Sequence, residues 1–162
     1  MTNAMTASTS SGVLSLVHFA LDGQNFALPL AQVRSVFSAV QVTPVPKLPS
    51  PVIGVIDMAG ELLPVLDLRQ PSRDITPADQ FLLADTTRRP IVLVVDETLG
   101  VIDHDAGAVT QLPSVEDDLD SPPFGGVVRC AENLVLIYDC QRFISGHLAQ
   151  AIDKTLRTLG GG

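Results

Sequence analysis

Runs of Val, Ile and Leu, each a few residues long, alternate with Gly, Pro and polar punctuation along most of the chain. Short apolar runs bounded by turn residues are the signature of β-strands, where successive side chains point to opposite faces. The pattern predicts ten strands, near 13–20, 25–28, 34–42, 52–58, 61–67, 80–85, 90–96, 99–104, 125–130 and 133–139. In 61–67, Leu63 and Val65 share one face and Leu62, Pro64 and Leu66 the other. Both faces are apolar, so this strand should be covered on both sides, with Pro64 where its missing N–H takes no part in a ladder. After Asp139 the period changes: Ile144, Leu148, Ile152 and Leu156 fall four apart, with charged and polar residues off that line. This predicts an amphipathic helix over 141–159 that ends at the terminal glycines and serves as a strap across the strands, with a partner-binding helix as the alternative.

The strand pattern repeats. Setting Gly54 on Gly126 aligns 54–68 with 126–140 without a gap, and five of the fifteen pairs are identical: Gly54/Gly126, Val55/Val127, Ala59/Ala131, Leu62/Leu134 and Asp67/Asp139. Upstream, ALPLAQVRSVF (27–37) lies on VLVVDETLGVI (92–102) at an offset of 65, and TPVP (43–46) on TQLP (110–113) at 67. Three matches in the same order, separated by small insertions, predict a duplicated half of about five strands. The expected division is a tail over 1–12 too polar to pack, a first barrel half over 13–75, a second over 76–140 and the helix, together one domain of about 13–150. Each copy is small for an independent core, so the two should share an apolar seam.

Composition narrows the function. Eighteen acidic against ten basic residues give a net charge of −8 with no basic stripe, which argues against nucleic acid. No apolar run approaches the ~20 residues of a membrane span, and the opening residues lack a signal-peptide pattern, so direct membrane insertion is not expected and a cytoplasmic location is. Cys130 and Cys140 have no CxxC spacing and read as buried, reduced thiols. His104 between Asp103 and Asp105 lacks further ligands at a recognisable spacing, and the acidic run from Glu116 to Asp120 lacks the Gly and closing Glu of a calcium loop. No nucleophile elbow, zinc-protease helix or phosphate loop is present. The expectation is therefore no metal, no cofactor and no catalytic residue. Gly54, Gly60 and Gly126 stand where strands begin or hairpins turn.

The string F-x-L-x-x-x-x-F-A-L-P-L-x-x-V, followed by V-x-P-V-P-x-x-P-x-x-x-x-G-V-I-x-x-x-G-x-x-L-P-V-L-D-L-R, resembles the CheW-like family of chemotaxis adaptors, from about Leu16 to Ile144. The resemblance implies an all-β fold of two SH3-like five-stranded β-barrels, in keeping with the duplication. It also implies a non-catalytic scaffold that couples the cytoplasmic tip of a chemoreceptor to the regulatory domain of a CheA-type histidine kinase. Carried over residue by residue, its partner-binding region falls on Val33, Ser35, Gly54, Ala59, Gly60 and Leu62. Two of these depart from the family: Ala59 stands where an Arg is usual and Ser35 where a Glu is common. Losing one member of a buried ion pair costs roughly 3–5 kcal/mol, whereas replacing both can be nearly neutral, so the fold should survive the double change. Val33 and Leu62 also fit the core pattern, and both readings stand at this point.

Two further functions compete. An adaptor of a non-flagellar chemosensory pathway would use the same fold with altered partners. A small-ligand-binding barrel would need a concave pocket with convergent polar groups, and barrel interiors filled by Leu, Val and Ile would remove it.

Overall fold

The computed structural model describes residues 12–48, 51–69, 74–112, 124–140 and 146–160. All ten predicted strands form, within two or three residues of the expected ends except the third: β1 Val13–Leu21, β2 Gln24–Pro29, β3 Val33–Ser38, β4 Val52–Met58, β5 Glu61–Asp67, β6 Gln80–Asp85, β7 Pro90–Val95, β8 Glu97–Asp105, β10 Phe124–Cys130 and β11 Asn133–Tyr138. The two-residue β9, Thr110–Gln111, was not expected, and β3 stops at Ser38, four residues short of the expected 34–42. There Ala39 N makes a last bond in line with the ladder, to the Asp79 carbonyl, and beyond it the chain pairs next where Thr43 bridges Val55. The helix α1 spans Gly146–Gly160; the first part of the expected 141–159 lies outside the described residues, as do the N-terminal tail and the Glu116–Asp120 run.

The strands form a six-stranded sheet in the order β8-β1-β2-β11-β10-β9 and a five-stranded sheet in the order β3-β6-β7-β5-β4. The duplication is legible in the ladders. β3 pairs with β6 through Val33↔Ala84, then Ser35↔Leu83 and Phe37↔Phe81, skipping Arg34. Shifted by 65, the same register recurs between β8 and β1: Thr98↔Phe19, Gly100↔His18 and Ile102↔Leu16, skipping Leu99. The β4–β5 hairpin maps on β10–β11 at 72, from Val52↔Leu66 and Phe124↔Tyr138 to Met58↔Glu61 and Cys130↔Asn133. Thr43↔Val55 corresponds to Thr110↔Val127. The three sequence offsets are thus the registers of one fold used twice.

Sheet membership cuts across the boundary expected at 75/76. The first sheet combines β1 and β2 with β8–β11, and the second combines β6 and β7 with β3–β5. The halves are joined by parallel pairs, β11 with β2 and β5 with β7. Each half lends a hairpin to the other, which buries more apolar surface than either could alone.

Alternation along the strands makes three apolar clusters. Leu14, Leu16, Ala27, Val128, Val135 and Ile137 fill one interior. Ile56, Leu63, Val65, Phe81, Val92 and Val94 fill the other. Between them runs the expected seam, which includes Phe19, Leu28, Val55, Leu66, Leu82, Leu93 and Tyr138. Leu63 and Val65 face the interior while Leu62 and Leu66 face the seam, as the alternation of 61–67 requires. Pro64 is opposite Val55, whose N–H and C=O both engage Thr43 on its far side, so the ring replaces no bond between β4 and β5. The ladder with β7 begins one residue later, at Val65. Helix α1 strapped across the seam supplies Ile152 and Leu156, with Leu148 half-buried against it. Two arginines of the β6–β7 turn hold it: Arg88 Nη2 lies 2.6 Å from Asp153 Oδ2, and Arg89 pairs with Oδ1.

Candidate functional site

β3 is an edge strand, mostly exposed, and the β4–β5 hairpin sits at the other side of the same sheet. The residues singled out from sequence divide by exposure. Ser35, Ala59 and Gly60 are exposed, Val33 and Leu62 are half-buried, and Gly54 is buried. Val33 and Leu62 pack on the seam cluster, so each has a foot in the core while part of it meets solvent. Gly54 lies beneath the Thr43 backbone and the Val42 side chain: a Cβ there would collide with the Thr43 carbonyl oxygen. Close backbone approach accounts for the glycine.

Ala59 and Gly60 are the tip of the β4–β5 hairpin, with φ of 52° and 90°. Positive φ at both positions suits a tight two-residue turn whose twist matches that of the strands, and the Asp57 carboxylate accepts from Gly60 N at 2.9 Å. Ala131 repeats the conformation at φ 55° in the equivalent hairpin. Ser35 lies opposite Leu83 on β6. Strands β6 and β7 intervene between β3 and β5, and no hydrogen bond links Ser35 with Ala59. The surface is therefore an edge plus a hairpin tip, and the two family-variant positions occupy different elements. Its charge comes from Arg34 with Asp85, an exposed pair at 2.7 Å beside Ser35, and from Asp57 and Glu61 flanking the tip.

Sequence reasoning passed over the buried arginine. Arg69, 1% exposed, makes a bidentate pair with Asp67, Nε to Oδ1 and Nη2 to Oδ2 both at 2.9 Å. Its Nη1 lies 3.1 Å from Asp79 Oδ2 and 3.9 Å from Asp96 Oδ1. Asp79 also accepts from Thr76 N, and Asp96 from Asp22 N. One guanidinium thereby ties the end of β5 to the 74–79 connector and to the corner between β7 and β8. The hydrogen bonds to Asp67 hold it above its ordinary pKa despite burial. The signal was present in L-D-L-R, where a charged pair follows the apolar run Leu62–Leu66; a buried ion pair is sustained only by good geometry and further hydrogen bonds.

Other groups offer little chemistry. Cys140 is buried, and burial pushes its thiol up to about 12, while Cys130 is only half-buried; both are free. The expectation that both are buried is corrected for Cys130, which ends β10 beside a turn. Among the described residues no three His, Cys, Asp or Glu side chains converge in a way that could hold a metal ion. Both barrel interiors are filled by aliphatic and aromatic side chains, which removes a ligand cavity inside either barrel. A groove of about 710 Å³ beside the 39–42 segment is open and lined largely by Val40, Val42, Ile53 and Ile75; Asp67 at its wall is committed to Arg69. No helix among the described residues is long and apolar enough to cross a membrane.

The CheW-like domain family matches residues 15–147. The chemotaxis protein CheW of Bacillus subtilis is 30% identical over 152 residues, covering 91% of this chain and 96% of that one. The chemotaxis protein CheW of Rhizobium meliloti is 24% identical, with 86% and 92% covered. Among solved structures, the scaffolding protein TtCheW from Thermoanaerobacter tengcongensis superposes with a TM-score of 0.73 over 85% of this chain and 96% of that one, at 20% identity.

Proposed function

The chain belongs to the CheW-like domain family, and on that premise we propose that it is a non-catalytic cytoplasmic scaffold joining the cytoplasmic tip of a chemoreceptor to the regulatory domain of a CheA-type histidine kinase. The observation that carries this reading is where apolar surface remains. Both interiors are full, and the large exposed aliphatics concentrate near two equivalent edge strands: Leu30, Val36 and Val40 at or flanking β3, and Leu99, Val101 and Ile102 on β8. An unpaired edge strand with apolar side chains favours association with another protein surface. Two such edges on one chain suit a part that bridges two partners. Val33, Ser35, Ala59, Gly60 and Leu62 form the proposed contact region of the first barrel, with Gly54 supporting it from beneath.

The absence of charge at Ser35 and Ala59 is the specific observation behind a second reading, in which the partners belong to a non-flagellar chemosensory pathway. One experiment addresses both: titrate the protein, and its Ser35→Glu, Ala59→Arg double variant, against the regulatory domain of the CheA-type kinase from its own genome. Both sites are exposed, and Arg at Ala59 carries no more backbone strain than the Ala already there, so the variant should fold. The first reading expects wild-type binding, typically weakened in the variant. Binding gained only by the variant supports the second. Binding by neither overturns the kinase-coupling reading.

A further inference from the structure

His18 and His104 lie on neighbouring strands and meet through their Nε2 atoms at 3.1 Å. Their rings are inclined by 15° with centroids 5.3 Å apart. A centroid separation larger than the nitrogen separation by about two ring radii means that the nitrogens face each other head-on, the geometry of an N–H···N hydrogen bond. Such a bond accommodates one proton between the two nitrogens. His18 is 3% exposed, so a charge on it is poorly solvated. β8 is the end strand of its sheet; among the described residues its one ladder is with β1, and Thr98 near its start is also bonded to the Gln80 side chain of β6 at 2.6 Å, far along the strand from His104.

We propose that the His18–His104 pair is a proton-sensitive clasp: it fastens the edge strand β8 to β1 while one proton is shared between the two Nε2 atoms, and it opens when both imidazoles are protonated. The surroundings leave the pair to itself. In register with His18 are Ala27 on β2 and Gly100 on β8. The neighbouring interior is built from Leu14, Leu16, Val128, Val135 and Ile137, and Cys130 is the titratable group packed on it. Asp103 and Asp105 flank His104, but the first accepts from the Ser15 hydroxyl at 2.6 Å and the second caps the turn at Gly107 N at 3.0 Å. Arg129 on β10 is exposed. Burial first, and the neighbouring imidazole second, lower the pKa of His18, in keeping with resistance to the second proton.

The duplication supplies an internal control. In the register shifted by 65, His18 corresponds to Leu83 and His104 to Ala39, so the equivalent edge strand β3 has no titratable pair at this place. The test follows β8 and β3 amides by hydrogen exchange, corrected for intrinsic rates, from about pH 7.5 to about pH 5, together with ¹⁵N-histidine spectra. Protection of β8 should fall about tenfold relative to β3, with a coupling between the two Nε2 atoms at neutral pH that disappears in acid. The double variant His18→Leu, His104→Ala copies the sister edge and should fold, with exchange that no longer depends on pH. A second variant, His104→Gln, retains a hydrogen-bonding group without titration and should likewise flatten the response. No coupling between the nitrogens, equal pH response in β8 and β3, or a pH response that persists in either variant would overturn the clasp.

Discussion

Gly54 has no room for a methyl group, because a Cβ there would meet the Thr43 carbonyl and stand 2.7 Å from Val42 Cγ1. The first obstacle is backbone held by two hydrogen bonds to Val55, so it cannot swing aside. Gly54→Ala should cost about 1–3 kcal/mol in urea denaturation, the range for forced overpacking, with the fold retained. Arg69→Met should cost more, about 3–5 kcal/mol, since the Asp67 carboxylate is left buried without its cation. Arg69→Lys should recover only part of this, because an ammonium cannot reproduce two parallel bonds. At the thiols, Cys130 should react with a disulfide reagent well before Cys140 in the native protein, and the two should converge in denaturant. Residue roles were legible where backbone demanded them, as at the glycines. The wider role of the arginine was not, because two of its three acidic partners among the described residues, Asp79 and Asp96, are brought to it only by folding.

Elements were the most legible level. Strand existence follows from two-residue alternation, and ten runs announced themselves; Thr110–Gln111 did not, since two residues cannot display a period. The helix was read from Leu148, Ile152 and Leu156, and the structure buries that line against the seam. What the sequence lacks is the docking partner of its polar side, which is the Arg88–Arg89 turn. Burial raises the Asp153 carboxyl, but the hydrogen bonds from Arg88 and Arg89 outweigh it and leave the group below its ordinary value of 3.8. A depressed carboxylate contributes stability above its unfolded pKa and loses it as pH falls through the folded one. Helix docking should therefore weaken in acid below about pH 4, and the groups are exposed enough that Asp153→Asn costs at most about 1 kcal/mol at neutral pH. Denaturation at pH 7 and pH 3 should show the wild-type advantage over the variant vanish at the lower value, and 1 M salt should reduce it at pH 7.

At the scale of the molecule, the repeat was legible in three offsets, but the exchange of hairpins between the copies was not. Similar sequences tell which segments are equivalent; they do not say whether a hairpin stays with its own half, because β1–β2 and β6–β7 offer similar alternation to either sheet. The ladders that cross 75/76 decide, antiparallel β1 with β8 and β3 with β6 and parallel β2 with β11 and β5 with β7, and none of these pairs carries a tight turn between its strands. This interlocking has a direct consequence. A fragment of residues 1–75 holds β1–β5, which in the intact protein belong to two different sheets, and a fragment of 76–162 holds the complementary set. Fragment 1–75 keeps only the β1–β2 and β4–β5 pairs and leaves β3 without β6; fragment 76–162 likewise leaves β8 without β1. Each alone should give a poorly dispersed NMR spectrum and no cooperative melting transition. Mixed at equal concentration, the two should recover the dispersed spectrum of the intact chain and melt in one transition, since every ladder that crosses 75/76 is then restored. A fragment that folds by itself would mean that a half can close its own barrel, and the swapped arrangement would then be a choice between near-equal topologies rather than the requirement that the shared seam imposes.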